Sequence, residues 1–249
     1  RLTTQMKSVG EVMAIGSTFK ESLQKALRGL ETGVDGFNLK TVDPDTIADE
    51  LAYPRAERLW YVADALAIGM PLEEVYAHTK IDRWFLAQIK EIVDIELWLE
   101  TKGLDAIDKT MLFKLKQKGF ADRRLAKLLK TTDKVVRDKR HALNIRPVYK
   151  RVDTCAGEFP SATPYLYGSY DEESEAPRSG NKSVVILGSG PNRLGQGVAF
   201  DYCFVRAVIA LREPGLGAIM LNANPQLVPT DFHPSDSAYF EPPCRQGSL

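Results

Sequence analysis

Between Asp43 and Leu143 the chain is divided into helix-length pieces by residues that start and stop helices. That punctuation constrains its fold more than any other feature. Asp43-Pro44 sets an N-cap before a proline at the first helical position, where the missing N–H costs nothing. Pro54 opens the next piece, with Leu59, Val62, Ala63, Leu66 and Ala67 on one face and Gly69 as its stop. Pro71 begins a short third helix. Asp82 caps a long fourth one, whose apolar stripe is Phe85, Ile89, Ile92, Val93 and Leu97 and whose end lies near Lys102-Gly103. Three short basic helices follow, over 109–118, 122–129 and 133–143, separated by Gly119-Phe120 and Thr131-Thr132. The spacing predicts an all-helical module long enough to bury its own core.

On either side the pattern changes. From Thr18 the apolar positions Phe19, Leu23, Ala26, Leu27 and Leu30 keep helical spacing, ended by Gly29 and Gly33. Before them Met6, Val9, Val12, Met13 and Ile15 read as a strand and turn. This opening is too short for a core of its own and reads as the tail of a larger domain. Residues 147–182 lack periodicity and carry Pro147, Gly157, Pro160, Pro164, Gly168, Pro177 and an acidic run from Asp171. Tyr149, Phe159, Tyr165, Tyr167 and Tyr170 can bury large areas, so the stretch is expected to lie as an extended belt across other surfaces. From Ser183 the pattern is α/β: the strand SVVILG, the turn GSGPNRLGQG, a helix near Phe200–Arg212, and a second strand AIMLNAN. That order implies parallel strands joined by a right-handed crossover. Two strands cannot bury both faces of a sheet. Together with a first residue that is Arg1 rather than Met, this reads as a piece excised from something longer.

The composition, 44% hydrophobic and 27% charged over 249 residues, is that of a folded globular chain and excludes bulk disorder. No apolar run approaches the roughly 18 residues of a membrane span. Cys155, Cys203 and Cys244 are odd in number and far apart, and His78, His141 and His233 are scattered. Neither a disulfide framework nor a metal site is expected, and a reducing compartment fits.

Lys plus Arg equals Asp plus Glu, 33 each, but the balance hides an asymmetry. Fifteen Lys or Arg lie between Lys109 and Arg151, opposed only by Asp122, Asp133 and Asp138. The helices over 122–143 have the spacing of a helix-turn-helix, and Arg137, Lys139 and Arg140 could meet nucleic acid. No aromatic interleaving supports that, so a solvated or protein-contacting face is the better reading. A helical DNA-binding or adaptor module using 109–151 remains the alternative.

In the glycine turn, Gly188, Gly190, Gly195 and Gly197 follow neither the dinucleotide nor the P-loop spacing. With Asn192, they read as a tight crossover turn or as a small-anion site beside a helix N-terminus. Asp201, Asp231 and Asp236 read as turn and cap residues, and no nucleophile–base arrangement is present.

Several strings then combine: TTQMKSVGEVMAIG at 3–16, ESLQKALRGLETG at 21–33, IDRWFLAQI at 81–89 and KGFADRRLAKLL at 118–129. PVYKRVDTCAGEF follows at 147–159, PNRLGQGVAFDYC at 191–203, LNANPQLVPTDF at 221–232 and YFEPP at 239–243. In order and spacing the chain resembles the large subunit of carbamoyl-phosphate synthetase over nearly its whole length. The resemblance implies an α plus α/β protein in four parts. Residues 1–34 would be the tail of the first ATP-grasp half, 35–150 the helical oligomerisation domain, 151–182 a connecting belt, and 183–249 the start of the Rossmann-like, parallel pre-ATP-grasp domain of the second half.

It further implies a parent ligase that makes carbamoyl phosphate from bicarbonate, glutamine-derived ammonia and two ATP, for arginine or pyrimidine synthesis. Mg²⁺ or Mn²⁺ and K⁺ would assist, and a glutaminase small subunit would be the partner. The segment itself would hold no cofactor, metal or complete active site; it would self-associate through its helices. The setting implied is cytoplasmic, or organellar in a eukaryote, without membrane or nucleic acid. Ser17, Gly197, Ala199 and Gln226 fall where the resemblance places the carbamate passage. The family carries charges where this chain has Ser17, Ala199 and Gln226, and losing them would alter the protonation of carbamate in transit. Residues from Cys244 onward fit the resemblance poorly.

Overall fold

The structure is a computed structural model that describes residues 10–161, 163–176, 182–188, 190–223 and 236–243, without the Val198 side chain. Helix α1 (Phe19–Gly29) leads into α2 (Pro44–Ala52), α3 (Arg58–Ala67), α4 (Leu72–Thr79) and the long α5 (Arg83–Glu100). A 3-10 turn at Leu104–Ala106 precedes α6 (Lys109–Gln117), α7 (Asp122–Leu128) and α8 (Asp133–Ala142), and α9 (Gly197–Arg212) lies in the C-terminal part. The starts follow the punctuation. Thr18, Asp43, Asp82, Asp108 and Thr132 each accept a hydrogen bond from a first-turn backbone N–H, satisfying a donor that the helix itself leaves open. One start differs: Pro54 lies in a turn, and α3 begins only at Arg58.

Leu51, Val62, Val75, Leu86, Ile92, Leu112, Phe120, Leu125 and Val136 meet in one helical core and are almost wholly shielded from water. Leu27 of α1 and Tyr170, beyond the helices, join the same core. Gly119 sits where α6 turns into α7 against α1. Its φ is +94°, and a Cβ there would stand 2.7 Å from the Glu21 Cα. Gly119→Ala is therefore expected to destabilise the chain by about 1–3 kcal/mol, read as a lowered urea midpoint with an unchanged slope.

The second layer is a five-stranded mixed sheet in the order β2-β3-β7-β6-β4, and it corrects the sequence reading. That reading found two parallel strands, which are β4 (Ser183–Leu187) and β6 (Gly217–Asn222). The stretch expected to run as a belt supplies β3 (Tyr165–Ser169), which pairs antiparallel with β2 (Val148–Arg151) and parallel with β7 (Ser237–Phe240). Met220, Ala238 and Phe240 form a small core with Ile15, Tyr165, Ile186 and Phe204 packed against it. β4 lies at the sheet edge, with Val184, Val185 and Leu187 exposed. The N-terminal strand β1 (Gly10–Glu11) pairs antiparallel with β5 (Asn192–Arg193) inside the glycine turn. Among the described residues no helix is long and apolar enough to cross a membrane.

Candidate functional site

Helix α1 lies between the helical core and the sheet, and its sheet-facing side is charged. Lys25 is buried, and its Nζ donates to the Ile15 carbonyl at 2.9 Å, to the Gly168 carbonyl, and to Glu241 Oε1 at 2.6 Å. One turn earlier Glu21 stands 3.5 Å from the same ammonium and accepts from the Ser17 backbone N–H at 2.7 Å and from the Ser169 hydroxyl at 3.1 Å. Glu241, just past β7, also accepts from the Gly168 N–H at 2.8 Å. Burial pushes the Glu21 carboxyl above its ordinary value, against the pull of Lys25. A cavity of about 20 Å³ beside this cluster, lined by Arg28, Lys116, Tyr149 and Tyr170 among others, has room for one water molecule.

Across that cavity lies a second buried cluster. Lys116 is 1% exposed. Its Nζ donates to the Phe120 carbonyl at 2.6 Å and to Asp122 Oδ1 at 2.8 Å, and the Arg140 guanidinium holds the other carboxylate oxygen. The Tyr170 ring lies 5.2 Å from the ammonium. Burial pushes Lys116 down to about 8, although Asp122 favours its charged form. Burial alone would raise Asp122, but Lys116 and Arg140 hold it low.

The sign of the resulting pH effect is fixed. Between about pH 8 and the ordinary lysine value of 10.5 the unfolded chain keeps a proton that the folded chain has released, so this group makes stability rise with pH there. Urea titrations over that window should show a slope of up to about 1.4 kcal/mol per pH unit in the parent relative to Lys116→Met. Equal slopes would contradict the assignment.

A third buried cluster holds α7 to α5. Arg124 makes a two-pronged contact with Glu96, at 2.8 and 2.7 Å, and also reaches Asp35, Asn38 and the Phe37 carbonyl. The basic run at 109–151 is therefore not one wet face. Lys116, Arg124 and Arg140 are inside. Lys116 could have been found in the sequence, since it follows Leu112 and Leu115 on the apolar stripe of its helix.

The predicted positions fall in two places. Ser17 lies in the turn before α1, its hydroxyl 3.2 Å from that of Ser169 and 3.3 Å from that of Tyr167. Gly188, Gly190, Asn192 and Gly195 form the turn after β4, and Gly197 and exposed Ala199 begin α9. A Cβ on Gly188 would meet the Asn222 side chain at 2.8 Å, and one on Gly190 would run into the Glu31 carboxylate. Glu31 also stands 3.8 Å from Arg193. Gln226, Asp231 and the residues from Cys244 onward lie outside the described residues. Among the described residues no three His, Cys, Asp or Glu side chains are grouped to hold a metal ion. The carboxylate of Glu31 beside the turn repels a phosphate.

Fold and buried charge define a structural class: a helical scaffold locked to an α/β sheet through one shared helix. Residues 11–144 match the carbamoyl-phosphate synthetase large chain, oligomerisation domain, and residues 180–246 match the carbamoyl phosphate synthase preATP-grasp domain. The chain belongs to the carbamoyl-phosphate synthetase large-chain family. It is 58% identical to the carbamoyl phosphate synthase large chain of Haemophilus ducreyi and 59% identical to that of Pasteurella multocida, each over 242 residues. It is 57% identical to that of Pseudomonas aeruginosa over 247 residues. In each case 97% of this chain is covered, but only 22–23% of the relative. The chain thus spans under a quarter of the length of the curated relatives it matches.

Proposed function

We propose that this chain is the connector of a carbamoyl-phosphate synthetase large chain. It joins the tail of one synthetase half (1–34) to the start of the other (183–249) and self-associates through the helices of 35–150. The observation that carries the reading is 57–58% identity to carbamoyl phosphate synthase large chains with 97% of this chain covered. In this reading the ligase chemistry is performed by the rest of the parent, which uses ATP with Mg²⁺ or Mn²⁺ and K⁺ and takes ammonia from a glutaminase subunit. The parent works in the cytoplasm or an organelle. Ser17, Gly197, Ala199 and Gln226 line the passage for carbamate.

A chimera tests this. Residues 1–243 replace the corresponding segment of the Haemophilus ducreyi large chain, and carbamoyl phosphate formation is measured from bicarbonate, ammonia and ATP. Retained synthesis is expected, and a soluble chimera that makes none would overturn the connector reading. Within that chimera Ser17→Arg, Ala199→Glu and Gln226→Glu together should raise the carbamoyl phosphate formed per ATP consumed. An unchanged ratio would remove these positions from the passage.

A further inference from the structure

The cavity of about 20 Å³ lies where α1 meets both the helical core and the sheet, and charged groups from each side line it. Glu21, Lys25 and Arg28 reach it from α1, Lys116 from α6, and Glu241 from the residue after β7.

Most of these groups are engaged. Lys25 uses its three N–H bonds on Ile15, Gly168 and Glu241. Glu21 accepts from Ser17 and Ser169, and Glu241 accepts from Gly168 as well as from Lys25. Two donors are not engaged. Arg28 donates through one terminal nitrogen to the Gly119 carbonyl at 3.1 Å, but its Nε is shielded from water and has no hydrogen-bond partner among the described residues. The Lys116 ammonium has three N–H bonds, and the Phe120 carbonyl and Asp122 accept two of them. A shielded N–H left open is unfavourable, so the cavity is expected to hold an acceptor.

Charge decides which acceptor. The clusters on either side of the cavity bring together four cations, Lys25, Arg28, Lys116 and Arg140, and three carboxylates, Glu21, Asp122 and Glu241. At pH 7 Lys116 keeps its proton, because burial lowers it only to about 8. Burial raises Glu21, so any proton gained there adds to the positive excess. One positive charge is thus uncompensated, and holding it away from water without a counter-charge is costly. A water molecule would satisfy the open N–H groups and leave that charge; a monovalent anion answers both. The cavity admits one particle of about the size of water. A halide ion is little larger, whereas a phosphate or sulfate does not fit.

We propose that this cavity is a site for a single halide ion, chloride in practice, held between α1 and α6 by the Arg28 Nε–H and the Lys116 ammonium. The ion neutralises the seam and ties α1 to α6, as Lys25 ties it to the sheet.

Urea unfolding of the 249-residue chain at pH 7 tests this, with chloride varied at one ionic strength made up with gluconate, which is too large to enter. A single site on the folded chain should raise the folding equilibrium constant about tenfold for each tenfold rise in chloride above its dissociation constant. Bromide should act alike. Arg28→Met and Lys116→Met should lose this response, whatever their own stability. Arg123→Gln should keep it, since that side chain is 76% exposed and does not line the cavity. A response that both Met variants share with wild type overturns the site and shows an adventitious ion only. No response in wild type also overturns it and leaves the cavity to water. If neither Met variant folds, the wild-type slope decides: about tenfold supports the site, and none removes it.

Discussion

Arg124→Ala is expected to cost the folded chain about 3–5 kcal/mol, a large share of the total stability of a domain this size. The residue is 4% exposed, and its guanidinium answers two carboxylates, an amide oxygen and a carbonyl. Removing it leaves Glu96 buried with its partner gone. Burial already pushes that carboxyl above its ordinary value with Arg124 present, so the uncompensated acid must bind a proton or draw water into the core. Urea unfolding followed by far-ultraviolet circular dichroism measures the loss. Glu96→Gln with Arg124→Met should recover most of it, because replacing a whole buried pair costs less than breaking one. A loss under about 1 kcal/mol for Arg124→Ala would show the pair to be idle.

Lys25→Met carries the second large effect, about 3–5 kcal/mol by the same argument, but with a different signature. Lys25 is on α1, while its acceptors Gly168 and Glu241 belong to the sheet side. Without the ammonium, Glu21 and Glu241 face each other in a buried space. The sheet should then loosen before the helical core does. Amide exchange in β3 and β7 should accelerate well beyond that in α5. The triple replacement Glu21→Gln, Lys25→Met and Glu241→Gln should restore much of the protection. Uniform acceleration across both layers would contradict the seam.

Much of the helical layer was legible because its determinants are local. A cap such as Asp82 acts on the N–H two residues on, and a stripe such as Ile89, Ile92 and Val93 repeats within a turn. The sheet was less legible because its pairing is not local. β3 binds β7, with Leu166 opposite Tyr239, and no feature of either short segment announces the other. The glycines and prolines around Tyr165–Ser169 hid a strand that its distant partners stabilise. Buried charge divides in the same way. Lys116 and Asp122 are six residues apart, and the lysine's place on an apolar stripe is visible in sequence. Lys25 and Glu241 are separated by 216 positions. Only the chain's path brings them together.

The pairing of Glu11 with Asn192 has a mechanical consequence. Segments on both sides of α1 grip the glycine turn: β1 before it by backbone hydrogen bonds, and Glu31 after it by standing against Gly190 and Arg193. Helix α1 therefore works as a crank whose two arms hold one latch. The loop that leads into the first turn of α9 is thus held to residues on both sides of α1, by a backbone pairing on one side and a carboxylate on the other.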